Sequence, residues 1–438
     1  MKAWKKKILA GLLAGGLICS VSAETTEAAG KAHRPPRQYR DADAGAESNR
    51  THHVQLLGGG RRAKEAMERE ASGKAGPTAE TLVNSDEQVV FRNGVLKNNR
   101  EVPMQLLPTK MEDVGGTLLF SDSPEYVRED GILYQDTVLG EARILYYHLN
   151  ETDRPKRLAV LLENPNDKMI EVKLTRGGAS QPSADYLAVG KATQIQYFRD
   201  EVKESRFIPR GQGRLLRIDM AQTLLRPGQL VYGVYDFFSE HPVKVSVIMY
   251  PPDQDPFLFV RQAKILPKDE QRLRGTFRGM NRKITSRTVY NPKKNGVSYI
   301  MIGDDRRDPF REGIDATDGS TVKNVGNYGI LYEFSLPTNR QTTRCYLTPF
   351  GGVYTGAVRA KHGKESWMVE TPAGLPYYGD VIPQDTADDI EAREQGLGRL
   401  RLGAPLAELG TFEGKEQVSF EYSPPGASNL PIALILMP

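Results

Sequence analysis

The chain has 438 residues, with 59 Lys and Arg against 55 Asp and Glu, a formal charge of +4. That length allows two domains plus tails. Its two cysteines, one of them near the N-terminus, exclude a small fold stapled by several intrachain disulfides.

Residues 1–23 open with Lys2, Lys5, Lys6 and Lys7, continue with an apolar run from Ile8 to Val21, and close on Val21-Ser22-Ala23. A basic start, a short apolar run and small residues at a cleavage point predict a secretory signal peptide, too short to span a bilayer comfortably. Bulky Ile18 precedes Cys19, which argues against lipid attachment there. Cleavage removes four lysines and no acid, so the mature chain is formally neutral and Cys345 is its only cysteine. The expected location is extracytoplasmic (secreted, periplasmic or cell-wall associated), with no transmembrane segment in the mature chain and no nucleic acid as partner.

Residues 24–87 are poor in aromatics and rich in Ala, Gly, Glu and Arg. Such a composition buries too little apolar surface to offset ordering, and predicts a flexible tether. Gly58-Gly59-Gly60 is followed by Arg61-Arg62, not by the Gly-Lys-Ser/Thr of a phosphate loop. Arg61 to Ala71 reads as a solvated charged segment.

Extended runs then begin. Arg143 to Leu149 and Leu158 to Glu163 are apolar enough for mid-sheet strands, and Asn164-Pro165-Asn166-Asp167 turns. Met169 to Thr175 alternates, with Ile170, Val172 and Leu174 on one side. Leu230 to Phe238 and Val243 to Tyr250 read as a hairpin around Ser239-Glu240-His241-Pro242. Ser183 to Val189 and Asp219 to Leu225 read as short helical connections. In the second half, Ile284 to Tyr290 and Val297 to Ile302 lead to Tyr328–Leu336, Thr343–Pro349 and Val353–Arg359, three runs that predict an antiparallel meander. Pro383 to Gly410 is read as helix or loop, followed by strands Val418–Tyr422 and Ile432–Met437. The expected fold is all-β, two antiparallel β-sandwich domains covering 88–265 and 266–438.

Tyr147-His148-Leu149-Asn150, Arg274-Gly275-Thr276-Phe277, Gly326-Asn327-Tyr328-Gly329 and Pro424 to Pro431 are short structural motifs. Together they resemble a group of exported bacterial proteins often described as copper amine oxidase N-terminal-domain, or stalk-domain, proteins. The resemblance spans most of residues 120–438 and implies an envelope protein without implying its chemistry. The stalk module itself is not apparent. Amine oxidation would need a quinone-forming Asn-Tyr-Asp/Glu, and here Gly329 follows Asn327-Tyr328. It would also need three clustered histidines, which the chain does not offer.

For metals, His33, His52, His53, His148, His241 and His362 have no recognisable ligand spacing. His148 reads as a packed or hydrogen-bonded core residue. Asp304, Asp305, Asp308, Asp315 and Asp318 could supply oxygens for calcium, but lie among Arg306, Arg307 and Arg311 and lack an EF-hand loop, so the expectation is a salt-bridged loop and no cofactor. Cys345 shares a side with Leu347 and reads as a small buried hydrophobe. No Gly-x-Ser-x-Gly or His-Glu-x-x-His motif occurs. No catalytic residue is assigned.

Between Arg261 and Lys294 eleven basic residues face two acids. Arg272, Arg274, Arg278, Arg282 and Lys283 are the candidate polymer-binding residues, with Arg272, Arg274 and Arg278 on one strand face. A field of that sign attracts an anionic envelope polymer; an envelope protein is the other expected partner. The competing expectation is an internal interface with Asp380–Tyr422, which carries ten acids against four bases. The reading is an exported, non-enzymatic β-sandwich protein of the envelope with a binding or structural role. The alternative is a secreted glycan-acting hydrolase, which needs only two suitably spaced carboxylates.

Overall fold

The computed structural model describes residues 81–84, 87–92, 95–96, 102–199, 202–373, 377–378, 397–400 and 406–438. The expected signal peptide, most of the tether, and His33, His52 and His53 lie outside the described residues. The tether's last residues are strand instead. Thr81-Leu82-Val83 is rich in strand-favouring residues, and β1 (Thr81–Asn84) pairs antiparallel with β2 (Glu87–Arg92), which pairs with β3 (Val95–Leu96).

Three short strands follow, and each joins a different sheet: β4 (Val102–Leu106), β5 (Thr109–Val114) and β6 (Thr117–Ser121). Next come β7 (Tyr126–Val127), β8 (Gly131–Asn150), β9 (Arg157–Glu163) and β10 (Ile170–Ala179). Helix α1 (Tyr186–Arg199) starts at Asp185, whose carboxylate accepts the Ala188 N–H at 3.1 Å, and runs well beyond the expected short connection. β11 (Glu204–Ile208), β12 (Gly213–Leu215) and α2 (Ile218–Gln222) lead to β13 (Leu230–Tyr250).

β13 corrects the expected hairpin. Both of its halves pair with β8, and the ladder only slips between Ser239 and Val243. Pro242 falls in that slip, the place where a residue unable to donate to the ladder is tolerated.

Helix α3 (Pro256–Gln262) is capped by Asp255, whose carboxylate accepts the Phe257 and Leu258 N–H groups. Then follow β14 (Arg274–Arg278), β15 (Asn281–Ser286), α4 (Pro292–Asn295), β16 (Ser298–Ile302), β17 (Arg311–Ile314) and β18 (Thr321–Asn324). The last strands are β19 (Leu331–Pro337), β20 (Thr343–Pro349), β21 (Gly356–His362) and β22 (Glu365–Thr371). They continue with β23 (Leu397–Leu400), β24 (Ala407–Phe412), β25 (Gln417–Tyr422) and β26 (Ile432–Met437). Ala407 to Gly410, the end of the stretch expected as helix or loop, thus lies in strand β24.

The protein is all-β in character, but its sheets are mixed. The largest has 11 strands, with the path β11-β10-β13-β8-β6-β14-β17-β18, and β6 runs parallel to β8. Two six-stranded sheets are ordered β22-β21-β25-β19-β15-β5 and β23-β4-β16-β26-β20-β24. β15 runs parallel to β19, and β16 to β4. The expected meander is absent. β19 and β21 both flank β25, whereas β20 crosses to the other sheet between β24 and β26. Pro337-Thr338-Asn339 marks where a strand ends, not which strand it pairs with.

Alternation places the core. In β26, Ile432, Leu434 and Leu436 enter one cluster, while Ala433, Ile435 and Met437 enter another on the opposite face. Phe412 of β24 meets Phe420 of β25 edge-on at 5.7 Å, so the two six-stranded sheets pack face to face. The first cluster also takes Phe120, Tyr147, Tyr232 and Phe277 from the large sheet. The expected division at 265/266 therefore does not separate sheets: β4, β5 and β6 pair with β16, β15 and β14 from its far side. All described residues belong to one compact unit.

Each of the four motifs that suggested a family places a residue in this core, Tyr147, Phe277, Tyr328 and Ala427. Tyr328 donates its hydroxyl to the Ser428 carbonyl at 2.7 Å, Arg143 donates to the Gly329 carbonyl at 2.9 Å, and Gly426 lies against Tyr147 and Tyr232.

Candidate functional site

The basic stretch divides into buried and exposed cations. Arg274, the first residue of β14, is 3% exposed. Its Nε donates to Asp315 at 2.9 Å, Nη2 to Thr317 Oγ1 at 2.9 Å, and Nη1 to the Leu266 and Leu133 carbonyls at 2.7 and 3.1 Å. Asp315 is wholly buried and also faces Lys268, which reaches Asp318 at 2.7 Å. The hydrogen bond from Lys268, with those from Ser320, holds the Asp318 carboxyl well below its ordinary range.

Arg282 on β15 is likewise buried, with Nε on Asp113 at 2.8 Å and Nη1 on Asp308. Asp308 accepts the Tyr332 hydroxyl and the Gly303 N–H, each at 2.7 Å. Burial raises the Asp308 carboxyl against the pull of Arg282.

Arg272, Arg278 and Lys283 are exposed and make no ion pair among the described residues. Arg272 stands at φ 54° in the turn before β14, off the strand face it was expected to share. Of the five predicted residues, Arg274 and Arg282 are corrected from polymer contacts to internal ion pairs, because inward-pointing guanidiniums are closed off from any large ligand. Their carboxylate partners are Asp113, Asp308 and Asp315, not the 380–422 stretch, part of which lies outside the described residues. The aspartates weighed as calcium ligands are thus partners for arginine and lysine. Among the described residues no group of three or more His, Cys, Asp or Glu could hold a metal.

His148 and Ser121 form a pair that motif reading does not reveal. Ser121 Oγ lies 2.8 Å from His148 Nε2, and the ring's Nδ1 lies 2.9 Å from the Pro124 carbonyl. A neutral ring donating from Nδ1 and accepting at Nε2 satisfies both contacts. Burial pushes the imidazole down to about 3, which keeps it neutral. A nucleophile and base share this polarity, but both residues are wholly buried and line neither cavity, so the pair ties β6 to β8. Cys345 is buried in the core beside Leu347, and burial pushes its thiol up, as expected of a hydrophobe.

Two cavities among the described residues bear on function. A groove of about 710 Å³ lies on the outer face of the sheet containing β19, β21 and β25, with Glu333, Ser335, Lys361, Ser419 and Glu421 along it. Glu333 and Glu421 stand directly opposite on neighbouring strands. Burial raises the Glu421 carboxyl, but Arg176 at 2.9 Å and Lys361 outweigh it and hold the group below its ordinary value. The other cavity is a cleft of about 360 Å³ floored by Tyr146 and Tyr235 beneath α2.

No family model and no curated protein matches this chain. Among solved structures, the 11S allergen from Cocos nucifera L. aligns at 12% identity over 78% of this chain and 90% of its own. Its TM-score is 0.11, too low to define a common fold.

Proposed function

We propose that this chain is an exported, non-enzymatic envelope protein that holds an anionic surface polymer at the exposed cations of the 272–283 segment. One observation carries the reading. The inward cations Arg274 and Arg282 have carboxylate partners, while the outward cations Arg272 and Arg278 make no ion pair among the described residues, and neither does Lys283, although Glu112 and Glu333 stand opposite it on the neighbouring strands. Exposed cations gathered along one segment attract polyanions through long-range Coulomb forces that salt screens. Export rests on the signal-like residues 1–23. Retention of the protein and of an R272Q/R278Q/K283Q variant on heparin and teichoic acid tests the reading. Wild type is expected to bind at low salt and elute early as salt rises, and the variant to pass through at an unchanged melting temperature. Equal retention of both proteins, or passage of the wild type at low salt, overturns it.

A second reading, glycan hydrolysis, is favoured by the opposed Glu333 and Glu421 in the groove. Directly opposed strand residues have Cβ atoms about 4.5–5.5 Å apart, so their side chains can bring two carboxyls to the roughly 5–5.5 Å separation retaining glycosidases use. Glu421, held ionised, is the nucleophile in this reading and Glu333 the acid. Release of reducing ends from envelope glycan by wild type, lost in E333Q, would establish it.

A further inference from the structure

The cleft under α2 is the better built of the two cavities. Its volume, about 360 Å³, falls within the range of small-molecule sites. Register places Tyr146 opposite Gly233 and Tyr235 opposite Gly177. A Cβ on Gly233 would lie 2.1 Å from the Tyr146 hydroxyl oxygen, and one on Gly177 2.1 Å from the Tyr235 ring. The two glycines therefore let both phenols lie down against the sheet and keep the cleft open above them. Leu158, Met220 and Leu225 complete an apolar lining.

Polar groups in the cleft are sparsely partnered. Tyr146 is wholly buried, and its hydroxyl has only the Tyr235 phenol as a polar partner, outside ideal hydrogen-bond geometry. The buried Ser180 Oγ, also on the cleft wall, has none. Buried hydroxyls are ordinarily bonded, so an unmet Ser180 hydroxyl beside a Tyr146 hydroxyl with spare capacity points to a ligand that supplies the missing groups. At the mouth Arg217 is already committed. It grips Asp219 through Nε and Nη2, both at 3.1 Å, and reaches Glu204 through Nη1 at 2.8 Å. Hydrogen bonds from arginine lower both carboxyls, Arg206 leading for Glu204 and Arg217 for Asp219, so they stay ionised as acceptors.

We infer that the cleft binds a neutral, hydroxyl-rich ring, a single sugar unit. A pyranose has apolar C–H faces for the lining, oxygens for the Tyr146 and Ser180 hydroxyls, and O–H donors for Asp219 and Glu204. A hydrocarbon would leave the buried hydroxyls unmet. An acid would meet two carboxylates at a mouth whose arginine is already balanced. This inference is independent of charge-driven binding at β14–β15.

Titration calorimetry of the full chain with glucose, galactose, N-acetylglucosamine and glucuronic acid tests it. Saturable binding of at least one neutral sugar is expected, about tenfold weaker in Tyr146→Phe, the loss of one hydrogen bond, and unchanged in Arg278→Gln. Ser180→Ala, which disturbs no packing of the floor, is expected to weaken binding as well and decides the matter if Tyr146→Phe misfolds. Absence of saturable binding of all three neutral sugars, or full affinity in both variants, overturns the inference. So does tighter binding of glucuronic acid than glucose, which would assign the mouth to Lys203.

Discussion

At the scale of residues, alternation along β14 is legible in the sequence and burial is not. Arg274 and Arg278 do share a side of that strand, as their spacing implies, with Thr276 between them. One end of that side is roofed by the Ser123, Leu133 and Leu266 carbonyls, however, and the other is open. Nothing local in the sequence distinguishes the two ends, because the roof comes from residues up to 151 positions away. The energetic consequence is sharp. Arg274→Gln leaves Asp315 buried without its main partner and is expected to cost about 3–5 kcal/mol in urea unfolding. Arg278→Gln is expected to stay within about 0.5 kcal/mol. His148 gives a pH dependence of definite sign. Its folded pKa is depressed from 6.5 to about 3 by burial, so below 6.5 the unfolded chain takes the proton first. Stability falls by about 1.4 kcal/mol per pH unit between those limits. Urea midpoints at pH 7 and 5 should show that decline, and H148N, though weaker at pH 7, should show a correspondingly shallower one.

At the scale of elements, strand positions were legible from period-2 runs, whereas pairing was not. Helix α1 was underestimated because Gly190 and Thr193 interrupt its pattern, and both have tertiary causes. The Thr193 hydroxyl donates to the Tyr232 carbonyl at 3.2 Å. Gly190 touches the backbone of the buried 424–431 segment, where an added Cβ would stand 2.0 Å from the Gly426 carbonyl oxygen. Glycine to alanine inside a helix ordinarily stabilises by about 1 kcal/mol. Gly190→Ala is expected to reverse that sign and destabilise by about 1–3 kcal/mol, since a backbone carbonyl cannot swing aside. Thermal melts of Gly190→Ala beside wild type check this, and an unchanged or raised midpoint would show that the contact yields.

At the scale of the whole molecule, composition and turn spacing made the all-β class legible. They could not fix its partition, because sheet membership depends on partners far along the chain. β4, β5 and β6, only 20 residues from first to last, pair in three different sheets with strands that lie beyond residue 273, namely β16, β15 and β14. Calorimetry of the full chain is therefore expected to show one cooperative transition across the described core. A fragment covering 266–438 should lack native sheet signal in circular dichroism; two resolved transitions would contradict the shared core. The same wiring has a kinetic side. Contacts that close loops of more than 150 residues form late and slowly, and β26 is central to its sheet. A chain threaded through a membrane N-terminus first could not complete any of these three sheets while only its first half had crossed. β4 and β5 would wait unpaired, and β6 would have only β8 on one side, leaving open edges prone to aggregation until the rest arrived. The yield of such a chain on refolding should depend on dilution far more than its stability once folded.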